Sequence, residues 1–92
     1  MAVEVQLPGV LREHAGGERS VSVEGATTVG GVFDRLGASH PALARRIRDE
    51  QGALRRHVNV YVGERDVRDE AGLATPVRDG DVVLVLPSIA GG

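Results

Sequence analysis

Five consecutive strand-forming apolar residues, Val82-Val83-Leu84-Val85-Leu86, are the tightest constraint in this chain. A run that short and that apolar predicts a strand covered on both faces, hence one in the middle of a sheet. It is entered through Asp79-Gly80-Asp81, a turn signal. It is stopped by Pro87, which has no N–H to give a neighbouring strand. After that come Ser88, Ile89, Ala90, Gly91 and Gly92, which cannot build a core. The chain therefore divides into a folded unit, 1–86, and a flexible C-terminal tail, 87–92.

The rest of the chain supplies partners for that strand. Val3, Val5 and Leu7 alternate with Glu4 and Gln6, the pattern of a half-buried strand that Pro8-Gly9 ends. Val21 and Val23 mark a second strand. The two form an antiparallel hairpin around a long loop containing Ala15-Gly16-Gly17. Thr28 suits a helix N-cap. Val29, Val32, Phe33 and Leu36 then recur at i, i+3, i+4 and i+7, one face of a helix. Leu36-Gly37 marks its end. Gly30 and Gly31 weaken the first turns, and either allow close helix–sheet approach or are merely tolerated.

Ser39-His40-Pro41 starts a shorter helix, with Leu43, Ala44 and Ile47 on its apolar side. Arg45, Arg46, Arg48, Asp49 and Glu50 form its solvated side. With Arg55 and Arg56 these arginines make a basic zone, either a solvated face or a surface for an acidic partner. Val58, Val60 and Val62 alternate with His57, Asn59 and Tyr61 in a third strand. Val67-Arg68 reads as a short strand, and 71–77 as a connector anchored by Leu73 and Val77.

This order predicts an α+β fold, a mixed sheet with one main helix packed across one face. A single helix leaves the other face open, so one apolar set of the last strand faces outward. Val82, Leu84 and Leu86, together with Tyr61, are the candidate partner contacts.

Composition removes whole classes of function. The chain has no cysteine, which excludes disulfides, thiolate catalysis and iron–sulfur clusters. His14, His40 and His57 are scattered without ligand-like spacing, so no metal site is expected. No nucleophile–base pair or carboxylate pair stands out, so no catalytic residue is assigned and the chain is not expected to be an enzyme. A net charge of −2 and an aromatic set of only Phe33 and Tyr61 argue against nucleic acid. No apolar run is long enough to span a bilayer and 1–9 carries no signal pattern, which points to the cytoplasm and away from membranes. All 11 basic side chains are arginine. The chain thus offers no lysine amine to an activated carboxyl group.

The final stretch, Asp79-Gly80-Asp81, the apolar run, Pro87 and Ala90-Gly91-Gly92, resembles that of the MoaD/ThiS/CysO family of ubiquitin-like sulfur carrier proteins. Leu11-Arg12-Glu13, Gly16-Gly17, His57-Val58-Asn59-Val60-Tyr61-Val62, Asp66-Val67-Arg68 and Gly72-Leu73-Ala74-Thr75 look most like the CysO members. The resemblance implies a β-grasp (ubiquitin-like) fold. It implies that Gly92 carries sulfur as a C-terminal thiocarboxylate, while Pro87, Ser88, Ile89, Ala90 and Gly91 thread into a partner's active site. The implied partners are a MoeB/ThiF-like adenylating enzyme that consumes ATP and a sulfur-accepting, cysteine synthase-like enzyme. A metal-dependent peptidase is implied for release, and no cofactor is bound by the carrier itself. Molybdopterin, thiazole and thiosugar pathways are the other acceptors. A ubiquitin-like modifier conjugated to lysines of other proteins, or a β-grasp binding module with an idle tail, fits the same residues.

Overall fold

Alternating valines fix the hairpin. A computed structural model of the chain describes residues 2–87. In it β1 (Ala2–Gln6) pairs antiparallel with β2 (Ser20–Glu24), Val3 opposite Val23 and Val5 opposite Val21. The link between them is more than a loop. A one-turn helix, α1 (Gly9–Arg12), runs directly into a 3-10 turn (Glu13–Ala15) that buries Ala15. Gly16 and Gly17 close this excursion at φ of 67° and 86°, where a side chain would be strained.

The main helix, α2 (Val29–Ser39), starts as expected. The Thr28 hydroxyl accepts the Gly31 N–H at 3.1 Å, and Val29, Val32, Phe33 and Leu36 are buried. Replacing Thr28 by alanine is expected to cost about 1 kcal/mol through that lost cap. The urea midpoint should fall while the slope of the transition stays constant. The helix does not stop at Gly37. It runs to Ser39, and the His40 N–H still donates to the Leu36 carbonyl at 2.7 Å. The breaker is Pro41, whose ring pushes His40 out of the helical region to φ −135°.

Pro41 then opens α3 (Pro41–Ile47), which buries Leu43 and Ile47. Arg48 leaves the solvated side on which its spacing places it. Its guanidinium donates to Asp34 Oδ1 at 2.8 Å and lies 5.8 Å above the Phe33 ring. Its long apolar stem and the ring's electron-rich face make that position favourable.

The remaining strands are β3 (Val58–Val62), β4 (Arg65–Asp66) and β5 (Val82–Pro87). The sheet order is β2-β1-β5-β3-β4, with β5 parallel to β1 and antiparallel to β3. Val67 and Arg68 are not in a strand. The Asp66 carboxylate accepts the Arg68 N–H at 2.9 Å and bends Val67–Asp69 into a 3-10 turn that buries Val67. A further 3-10 turn (Gly72–Ala74) packs on α2. A Cβ on Gly30 would sit 3.1 Å from the Leu73 carbonyl oxygen, so the close approach at Gly30 is to this connector and not to the sheet. Thr75, the one buried polar residue among those described, accepts the Ala71 N–H on its hydroxyl and the Val29 N–H on its carbonyl. The core lies between α2, α3 and one face of the sheet. No helix among the described residues is long and apolar enough to cross a membrane.

Candidate functional site: the outer sheet face and the tail exit

The last strand is central, but it is not covered on both faces. Val83 and Val85 are fully buried, Val82 and Leu84 are half-buried, and Leu86 is 37% exposed. One layer of helices covers one face only, so alternation splits the apolar run into an inner and an outer set. Residues opposite each other in a ladder share a face. Tyr61 lies opposite Leu84, and Asn59 opposite Leu86. Tyr61, Val82, Leu84 and Leu86 therefore lie together on the face away from α2, as their spacing predicts.

Polar groups edge this stripe. On the β1 side Glu4 pairs with Val82 and Gln6 with Leu84, and the Gln6 amide donates to Glu4 at 3.0 Å. On the β3 side Arg68 donates to Asn59 Oδ1 at 2.8 Å, to the Val58 carbonyl at 2.7 Å and to the Arg55 carbonyl at 3.0 Å. Arg68 thus ties the start of β3 to the turn after β4. Sequence reasoning missed this role. The available signal was Asp66, an aspartate placed to start a turn two residues before the arginine.

The turn that feeds β5 also sets its register. Gly80 sits at φ 86°. The Asp79 carboxylate accepts the Ala2 N–H at 2.7 Å, the Gly80 N–H donates to the Ala2 carbonyl at 2.8 Å, and the Glu4 N–H donates to the Asp81 carbonyl at 3.0 Å. Asp79 and Asp81 are turn formers, as expected, and they also clamp the turn to β1.

At the other end β5 takes in Pro87, one residue past the expected boundary, with Val58 opposite. Antiparallel pairing alternates residues that exchange hydrogen bonds with residues that do not, so a proline is accommodated as the last residue of a strand. Ser88, Ile89, Ala90, Gly91 and Gly92, the tail read from the sequence, lie outside the described residues. Around Pro87 the fold brings together residues the sequence left apart. His14 of the 3-10 turn and His57 before β3 line one groove with Arg46, Leu11 and Leu86.

A family model described as the ThiS family matches residues 5–92, from β1 through the terminal diglycine. The chain belongs to the ThiS family. It is 46% identical to the sulfur carrier protein CysO of Mycobacterium tuberculosis over the full length of both proteins. A chain of the crystal structure of the Amycolatopsis orientalis BexX/CysO complex matches with a TM-score of 0.87 and 42% identity, covering 98% of this chain and 99% of that one. Small archaeal modifier protein 3 of Haloferax volcanii is 38% identical, again over the whole of both proteins. The architecture is accordingly the β-grasp fold. This ThiS-family member is a sulfur carrier protein of the CysO and ThiS kind rather than an enzyme.

Proposed function

We propose that Gly92 of this cytoplasmic ThiS-family protein carries sulfur as a thiocarboxylate. The observation that carries this reading is the family match, which runs through residue 92 and so includes the diglycine that follows β5. A carboxylate is a weak electrophile. A ubiquitin-activating-type partner, MoeB/ThiF-like, joins the Gly92 carboxylate to AMP from ATP and releases pyrophosphate. Sulfide then attacks the acyl carbon, AMP leaves, and one carboxylate oxygen has been replaced by sulfur. A persulfide donor needs in addition a thiol to reduce its S–S bond. The chain's part is to deliver an acyl carbon unhindered by side chains. Gly91 and Ala90 keep the approach slim, and Pro87, Ser88 and Ile89 set its direction.

The 46% identity to CysO over full length favours a cysteine synthase-like acceptor, with release by a metal-dependent peptidase. Likeness to small archaeal modifier protein 3 supports a second reading, conjugation to lysines of other proteins. Both begin with the same adenylate. The test is pyrophosphate exchange: the host's adenylating enzyme should return labelled pyrophosphate to ATP only when this chain is present. Absence of chain-dependent exchange would remove both readings.

The stripe of Tyr61, Val82, Leu84 and Leu86 is the surface we assign to partner docking. Leu84→Arg is expected to weaken binding to the adenylating enzyme by about tenfold or more, as for loss of an apolar anchor. It should cost about 1 kcal/mol or less of stability, because Leu84 is already half exposed. Calorimetric titration beside a thermal melt separates the two effects.

A further inference from the structure

The basic zone has a structure that a merely solvated face does not need. Arg45, Arg46, Arg55 and His57 line one groove, although the chain as a whole carries a net charge of −2. The fold gathers them deliberately. The last turn of α3 presents Arg45 and Arg46, and the returning chain is held against it by the Arg55 N–H on the Ile47 carbonyl at 3.0 Å. The Arg55 side chain bonds the Arg45 carbonyl at 2.7 Å, a neutral acceptor that leaves its charge uncompensated.

Among the described residues the ion pairs are Glu13 with His14, Asp34 with Arg48 and Glu70 with Arg65. None of Arg45, Arg46, Arg55 and His57 is in one. Of the nearby acids, Asp34 holds Arg48 and Asp49 accepts the N–H groups of Gln51 and Ala53, while Glu50 borders Arg55 but forms no ion pair with it. Uncompensated like charges at close quarters work against the folded state, and a counter-charge from outside would relieve them.

An apolar patch adjoins this cluster. Arg46 and His57 also line a second groove of about 220 Å³ with Val10, Leu11, Leu86 and Pro87, where the one carboxylate, Glu13, lies beside His14. Val10 is 67% exposed and Leu86 37%, and these are the exposed large apolar side chains among the described residues. Both border the same groove, at the point where β5 ends.

We propose that this groove docks an acidic segment bearing an aliphatic side chain, on the partner that receives the tail. Arg45, Arg46, Arg55 and His57 take its carboxylates, and Val10, Leu11 and Leu86 take its apolar side chain. The proposal rests on the reading that a partner receives the tail, but the surface is testable without any sulfur chemistry. A polyanionic nucleic acid fits less well, since no Phe, Tyr or Trp lines either groove to stack a base.

The test is a titration of the isotopically labelled full chain, followed by amide shifts, with the probe peptide acetyl-Glu-Leu-Glu-Asp-Leu-Glu-amide. Shifts are expected at Val10, Arg46, His57 and Leu86, and they should weaken with salt. The R45E/R46E variant should bind about tenfold more weakly, the scale of losing two exposed ion pairs and adding repulsion. Val10→Asp should also weaken binding, and Arg78→Glu, whose side chain lies outside both grooves, should not. The proposal is overturned by an absence of shifts, by shifts confined to Tyr61 and Leu84, or by undiminished binding to R45E/R46E. It is overturned equally if a mixed-sequence single-stranded RNA moves these amides and the peptide does not. Chain-dependent pyrophosphate exchange that persists in R45E/R46E alongside a null titration would sink the groove and spare the carrier reading.

Discussion

Removing Gly91 and Gly92 is expected to abolish sulfur loading outright and to leave the fold unchanged. The truncated chain still ends in a carboxylate, now on Ala90. Two lost residues shorten the reach by about 7 Å, and a methyl group now stands beside the acyl carbon. An active site built to take an extended glycine end loses both the contact and the clearance. Within the folded unit no change is expected, because the hydrophobic core is built from residues between Val3 and Val85. Pyrophosphate exchange should fall to background while Tm stays within about 1 °C of the intact chain. Loading at Ala90, or a lowered Tm, contradicts the assignment.

Phe33→Ala is expected to have the largest effect on the fold. Phe33 is fully buried and is the largest of the fully buried side chains. It fills the space between α2, α3 and the sheet, and its ring supports the Arg48 guanidinium that pairs with Asp34. Truncation removes apolar contact and leaves a cavity under a charged group, at a cost of about 3–5 kcal/mol. Small domains hold only about 5–15 kcal/mol in total. Tm should therefore drop by more than about 15 °C, seen in thermal unfolding by circular dichroism. A loss near 1 kcal/mol would mean that the helices do not depend on this contact.

Much of the scaffold was legible in the residues. Period-two valines gave β1, β2 and β3, the i, i+3, i+4, i+7 spacing gave α2, and Pro41 gave the start of α3. The misplaced helix end and the misplaced Arg48 share one cause: the deciding partner was distant in sequence or lay on the far side of a competing signal. Gly37 looked like a helix end, but the stronger breaker was Pro41, four residues on. Arg48 looked solvated because its spacing says nothing of Phe33 and Asp34 one helix away. Val67-Arg68 has strand-like composition, but the Asp66 cap bends it into a turn.

Taken alone, the run 82–86 reads as buried on both faces, and only the count of one main helix turns Val82, Leu84 and Leu86 outward. Its position in the sheet centre was right, yet the number of covering layers is a property of the whole fold and not of the strand. The exposed outer set that results is what makes Tyr61, Val82, Leu84 and Leu86 a surface for partners. The grooves beside Pro87 were not legible as such. The basic zone was visible as a cluster of arginines, but that Arg45, Arg46 and Arg55 form no ion pair among the described residues, and that Arg46 shares a groove with Val10 and Leu86, appear only in three dimensions.

The central claim is that Gly92 carries sulfur, and intact mass spectrometry tests it most directly. The full chain is incubated with ATP, the host's adenylating enzyme and sulfide, then weighed and fragmented. The account predicts a mass gain equal to one oxygen replaced by sulfur, located at Gly92. A plain carboxylate in the presence of active enzyme and ATP, or a tail joined to lysines of other proteins, would contradict it.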